Sequence, residues 1–155
     1  MPKILRELQK RGEPVKYYGM DVVPHIIEQH KQLFAKETDW TFAKQDMTTA
    51  VYNQSYDLIL SRDVMFHLTE RSVKCSLNNF IRSKSSYLMS TSQPGYKNSE
   101  EVTWTPNHLG GKGGKLNDGS YRNIDLSAEP YNLGPPLVSP YSTYKIGICG
   151  SVFCL

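Results

Sequence analysis

Three aspartates, Asp21, Asp46 and Asp63, each close a short run of strand-type residues: "KYYGMD", "FAKQD" and "LILSRD". In open α/β sheets, ligands bind beyond the carboxyl ends of the strands, so an acid at such an end stands where a ligand would lie. A carboxylate offers two acceptor oxygens whose spacing suits both hydroxyls of a vicinal diol. Asp21 is therefore a candidate for holding a ribose, with capping of the helix that starts at Pro24 as its plainer alternative. Asp46 is placed to accept an exocyclic amine of adenine while Met47 lies along the ring, the alternative being a turn or helix cap. Asp63 falls in "SRDVMFHLTE" with His67, and these two are the candidate proton acceptors of the chain. Each again has a plain alternative: Asp63 holding Arg62 or a helix end, His67 packing between Phe66 and Leu68.

The elements that must position these residues follow from periodicity. "PKILRELQKRG" predicts an amphipathic helix with Ile4, Leu5 and Leu8 on one face and Gly12 as its stop. "VKYYGMD" is a strand in which Gly19 permits close approach of a neighbour. From Pro24, the residues Ile26, Ile27, His30, Leu33 and Phe34 fall on one helical stripe. "DWTFAKQD" and "SYDLILSRD" are two further strands, and the Leu58-Ile59-Leu60 run predicts burial on both faces. Thr69 caps a helix whose core stripe is Val73, Leu77, Phe80 and Ile81, and "SSYLMSTS" is the next strand. The order helix, strand, helix, strand, strand, helix, strand predicts a parallel, doubly wound α/β sheet in a single domain over residues 1–155. Residues 93–120 are rich in Gly, Asn, Lys and Pro and form a long functional or disordered loop. "YRNIDL" and "YKIGICGSVFCL" predict two late strands.

Composition narrows the class. With 155 residues, 39% hydrophobic and 21% charged, the chain is of ordinary globular type. The 18 basic and 15 acidic residues leave +3, too small and scattered for a nucleic-acid surface. Cys75, Cys149 and Cys154 are an odd set without a metal-type pair and read as reduced thiols. No apolar run reaches the roughly 20 residues of a membrane span, and His25, His30 and His108 show no metal spacing. A cytoplasmic protein without metal or membrane partner is the expectation.

Taken together, "YYGMDVVPHIIEQHK", "FAKQDMTT", "YDLILSRDVMFHLTERSV", "SYLMSTS" and "YRNIDLSAEPYNLGPPL" resemble a class I S-adenosylmethionine-dependent methyltransferase, most distinctively over residues 61–68. The resemblance implies a Rossmann-like sheet with helices on both faces, a small-molecule methyl donor and an acceptor the sequence does not name. It places Asp21 on the donor's ribose and Asp46 with Met47 at the adenine. Ser61, Arg62 and Asp63 then line the mouth near the methionine portion, and Tyr121, Arg122 and Asn123 contact the acceptor or a lid. One departure is plain. The family's Gly-rich loop, expected about 20 residues before the acid, does not precede Asp21, and "LGGKGGKL" is no substitute because Leu109 stands where a glycine is required. The family's first strand, central between the Asp21 and Asp63 strands, is missing with it. The expectation is then either a sheet closed by non-standard pairing or a chain of marginal stability, such as a truncated isoform, an incomplete gene product or a degenerate copy. The rival readings are an inactive methyltransferase-fold fragment serving as an interaction or regulatory module, and a nicotinamide-dependent oxidoreductase, which would need GxGxxG ahead of Asp21.

Overall fold

The computed structural model describes residues 2–99, 119–138 and 150–155. It divides into two compact units, residues 1–46 and 47–155.

In the first unit, α1 (Pro2–Lys10) is followed by β1 (Tyr17–Asp21), α2 (Pro24–Leu33) and β2 (Trp40–Lys44). β1 and β2 pair in parallel, with Tyr17 opposite Trp40 and Asp21 opposite Lys44, and α2 is the crossover that parallel pairing requires. Leu5, Ile27, Trp40 and Phe42 make the core, with Val15, Tyr17 and Phe34 against it. Gly19 is needed where it stands. A Cβ there would lie 2.8 Å from Cδ1 of Phe42, whose ring covers the strand. Of the predicted α2 stripe only Ile27 is fully buried, and Leu33 is 71% exposed. The sheet beneath α2 has two strands, too narrow a floor for the whole stripe.

In the second unit, β3 (Leu58–Ser61) leads through a 3₁₀ turn (Met65–His67) into α3 (Glu70–Arg82), then β4 (Tyr87–Thr91) and β5 (Gly150–Cys154). β3 and β4 are parallel, and β5 returns antiparallel on the far side of β4. Thr69 caps α3 as expected, its Oγ1 accepting from the Ser72 amide. Ile59, Leu88 and Phe153 lie at matched positions on the sheet, and Val73, Leu77 and Phe80 of α3 are buried as they are.

Three expectations are corrected here. Leu58 is 44% exposed, so β3 is not covered on both faces, and Ile81 at 47% lies off the α3 core stripe. "YRNIDL" is not a strand, although Ile124 and Leu126 are fully buried. Its backbone is paired by side chains and by scattered main-chain bonds, such as the Gln93 amide to the Ile124 carbonyl, instead of a ladder. The Ile124 amide donates to Gln93 Oε1, Leu126 to Ser92 Oγ and Asp125 to Asn98 Oδ1. Of the loop expected at 93–120, residues 100–118 lie outside the described residues, as does the first half of "YKIGICGSVFCL". Among the described residues no helix is long and apolar enough to cross a membrane, and no His, Cys, Asp and Glu cluster could hold a metal.

Candidate functional site

Parallel strands end on the same side, so each sheet gathers its terminal acids on one rim. In the first unit, Asp21 closes β1 and Asp46 lies two residues beyond β2. The Gln45 amide donates to the Asp21 carbonyl, extending the pairing past the last registered pair. Asp21 is half-buried, and its Oδ1 accepts from the Val23 amide at 2.9 Å. That bond shapes the turn into α2, but the N-cap position is Val23 and no side chain caps the helix, so Asp21 holds the turn ahead of α2 rather than capping it. Asp46 is exposed, and Met47, half-buried in the second unit, accepts from Asn79 Nδ2 through its carbonyl.

On the rim of the second sheet the chain turns sharply after Ser61. Asp63 has φ +58°, a left-handed conformation costly for any residue with a Cβ, although Asp tolerates it better than most. The buried Thr91 at the end of β4 holds it there. The Asp63 amide donates to Thr91 Oγ1, and Thr91 Oγ1 donates back to Asp63 Oδ1, both at 2.9 Å. Asp63 Oδ2 accepts from Arg62 Nε at 3.1 Å, while the Arg62 side chain is itself 77% exposed. Beside them Ser61 is 5% exposed, and among the described residues its Oγ has no hydrogen-bond partner. A buried hydroxyl left unmatched costs free energy unless something else satisfies it, and few native polar groups are left so.

His67 follows on the 3₁₀ turn. Its Nδ1 lies 3.0 Å from the carbonyl oxygen of Ser120. A carbonyl can only accept, so Nδ1 carries the proton, and in the neutral ring Nε2 carries the lone pair. Residues 119–122 run alongside this turn. The Gly119 amide donates to the His67 carbonyl and the Arg122 amide to the Phe66 carbonyl. Tyr121 stacks edge-on to Phe66 at 5.1 Å between centroids, and its hydroxyl reaches Asn123 Oδ1 at 3.4 Å.

Arg122 is 2% exposed. Its guanidinium donates to the carbonyls of Leu68 and Ser99 and to the Tyr131 hydroxyl, and among the described residues it has no carboxylate within ion-pair distance. Burial pushes the Tyr131 hydroxyl above the ordinary phenol range, more than the Arg122 hydrogen bond and charge pull it back. Thr91, Ser120 and Tyr131 were not singled out in the sequence. Thr91 closes a strand beside the acid-bearing one and was open to the same argument. Ser120 acts through its backbone, which no side-chain pattern reveals.

The sheet rims, the crossover helices and the antiparallel last strand define a Rossmann-like class I methyltransferase fold. The family model described as "Methyltransferase domain" matches residues 3–83, just over half the sequence, and the chain belongs to that family. Solved structures agree on the fold. The citrinin polyketide synthase CMeT domain is 19% identical with a TM-score of 0.52, covering 60% of this chain and 26% of its own. The N-terminal domain of EvdMO1, solved with SAH and D-fucose, is 14% identical with a TM-score of 0.55, covering 90% and 65%. A protein described as a pericyclic reaction enzyme is 14% identical with a TM-score of 0.64, covering 99% and 40%. This chain thus spans between about a quarter and two-thirds of the length of these structures. No curated protein sequence matches it.

Proposed function

We propose that the chain carries S-adenosylmethionine-dependent methyl transfer to an acceptor still to be identified. The observation that supports this most directly is the unpaired, buried Ser61 hydroxyl beside Asp63, which Thr91 holds in a left-handed conformation, within the segment that the family match includes. Strain and an unmet polar group at a strand end are what a ligand site maintains, so these residues fit the donor.

The candidate contacts are proposed for each unit by itself. In the first, Asp21 accepts from the ribose hydroxyls through Oδ2 while Oδ1 keeps the turn, and Asp46 accepts from the adenine amine. In the second, Met47 is a candidate contact for an adenine ring, and Ser61 is a candidate donor of its hydroxyl to a methionine portion. Arg62 and Asp63 form the mouth through which the acceptor enters, with Tyr121 and Asn123 beside it. S-adenosylmethionine supplies a methyl group already activated by a positive sulfonium. The protein's part is then to orient and to exclude water, with a base only where the acceptor must lose a proton. Both oxygens of Asp63 are committed, so it orients, and His67 Nε2 takes the proton.

Isothermal calorimetry with S-adenosylhomocysteine tests the reading. Binding is expected for the native chain, and Asp21→Asn is expected to weaken it about tenfold, the worth of a hydrogen bond to a charged group. The asparagine oxygen still accepts from the Val23 amide, so the melting temperature stays put. An undetectable signal at millimolar ligand overturns the enzyme reading in favour of an inactive interaction or regulatory module. A thermal shift with NAD but not with S-adenosylhomocysteine favours the oxidoreductase.

A further inference from the structure

A buried guanidinium without a carboxylate is a costly thing to keep. Desolvating an unpaired charge costs several kcal/mol unless hydrogen bonds replace the lost water. Among the described residues, the bonds around Arg122 come from neutral oxygens: the Leu68 carbonyl, taken by both Nε and Nη2 at 3.3 Å, the Ser99 carbonyl and the Tyr131 hydroxyl. The Tyr131 ring also lies 5.9 Å from the guanidinium carbon, within cation–π range. The Leu68 carbonyl belongs to the residue next to His67, and the Arg122 main-chain amide holds the Phe66 carbonyl on the other side. Arg122 therefore grips the turn both before and after the imidazole, through its backbone and its side chain. Between those two grips, the Ser120 carbonyl meets His67 Nδ1.

We propose that Arg122 is a positioning residue: by clamping residues 119–122 onto residues 66–68, it holds the Ser120 carbonyl against Nδ1 of His67 and so keeps the lone pair on Nε2. This rests on the reading of His67 as the proton acceptor. It differs from the acceptor contact that the resemblance implied for Arg122, because a guanidinium with these donors spent inside the protein acts through another residue. Free imidazole favours the opposite tautomer, with the proton on Nε2. Without the clamp that form is expected to return, and the ring then presents an N–H where a base is required. An Arg-to-Lys change is not conservative here, since one ammonium cannot span the Leu68 carbonyl, the Ser99 carbonyl and the Tyr131 hydroxyl in the planar fork that fits them.

The tautomer is measurable without any donor or acceptor. In the full chain, nitrogen-15 correlation spectra of the imidazoles, at a pH where they are neutral, distinguish protonated from unprotonated ring nitrogens. The His67 signals are assigned by their loss in His67→Gln. The native protein should show Nδ1 protonated and Nε2 bare. In Arg122→Met the ratio of Nδ1–H to Nε2–H should fall about fivefold, the factor set by losing one ordinary hydrogen bond, and Arg122→Lys should fall between. A folded Arg122→Met with the native tautomer overturns the proposal, and so does a native protein with Nε2 protonated. If Arg122→Met does not fold, Tyr131→Phe decides, because it removes one partner of the guanidinium and leaves the arginine in place. A shift of its tautomer supports the clamp, and a native tautomer overturns it. Failure of S-adenosylhomocysteine to bind would remove the methyl-transfer reading and leave these spectra to be judged on their own.

Discussion

At the scale of single residues, the site is defined by what is matched and what is left unmatched. Asp63 is satisfied on both oxygens, and its backbone amide donates to Thr91 Oγ1, so its left-handed conformation is locked from two directions. Ser61 Oγ, one step earlier on the same rim, is buried and unmatched. Ser61→Ala should therefore stabilise the ligand-free chain by about 1 kcal/mol, the cost of an unmet buried hydroxyl being removed. The same variant should weaken S-adenosylhomocysteine binding roughly tenfold, as for any lost hydrogen bond to a charged group. Denaturant unfolding and calorimetry on one sample read the two effects, and a change in only one of them would show that the hydroxyl does not face the donor.

At the scale of elements, the sequence located the rims better than the faces. Strand ends are marked by the residues that stop them, so Asp21, Asp63 and the Thr69 cap fall where periodicity and capping chemistry put them. Burial of Leu33, Leu58 and Ile81 was expected and is absent, because an apolar side chain is covered only if a neighbouring element reaches it. The apolar residues of "YRNIDL", Ile124 and Leu126, are buried as a strand's would be, but burial does not say how the backbone is paired. Gln93, Ser92 and Asn98 do the pairing there. Gly19 gives the sharpest test at this scale. Gly19→Ala drives a Cβ into the Phe42 ring at 2.8 Å. It should lower the stability of the first unit by about 1–3 kcal/mol, the usual cost of overpacking a core, read as an earlier midpoint by Trp40 fluorescence.

At the scale of the whole molecule, the described residues of each unit include a phenol whose ionisation burial opposes, Tyr17 in the first and Tyr131 in the second. A raised folded pKa means that the unfolded chain gives up its proton first. Stability is then full below the phenol's unfolded value near pH 10 and declines as the pH rises through it and toward the folded value. Unfolding midpoints should fall in that alkaline window. Tyr17→Phe should flatten the fall for the first unit and Tyr131→Phe for the second, whatever each costs at neutral pH. An alkaline limb unchanged in both variants would show that the phenols ionise freely in the fold.

The sequence by itself determined the type and order of the helices and strands from α1 to β4, the acids at the strand ends and the likeness to a methyltransferase. These are local quantities: a period, a cap, a residue that halts a strand. Only the tertiary structure decided that Asp63 is strained and held by Thr91, that Ser61 is buried without a partner, and that Arg122 is enclosed with its donors committed. Nor could the sequence show the tautomer of His67, which is set by the Ser120 carbonyl fifty-three residues away along the chain. Every residue carries an identical backbone carbonyl, so composition and spacing cannot say which one will meet an imidazole; only the path of the folded chain selects it.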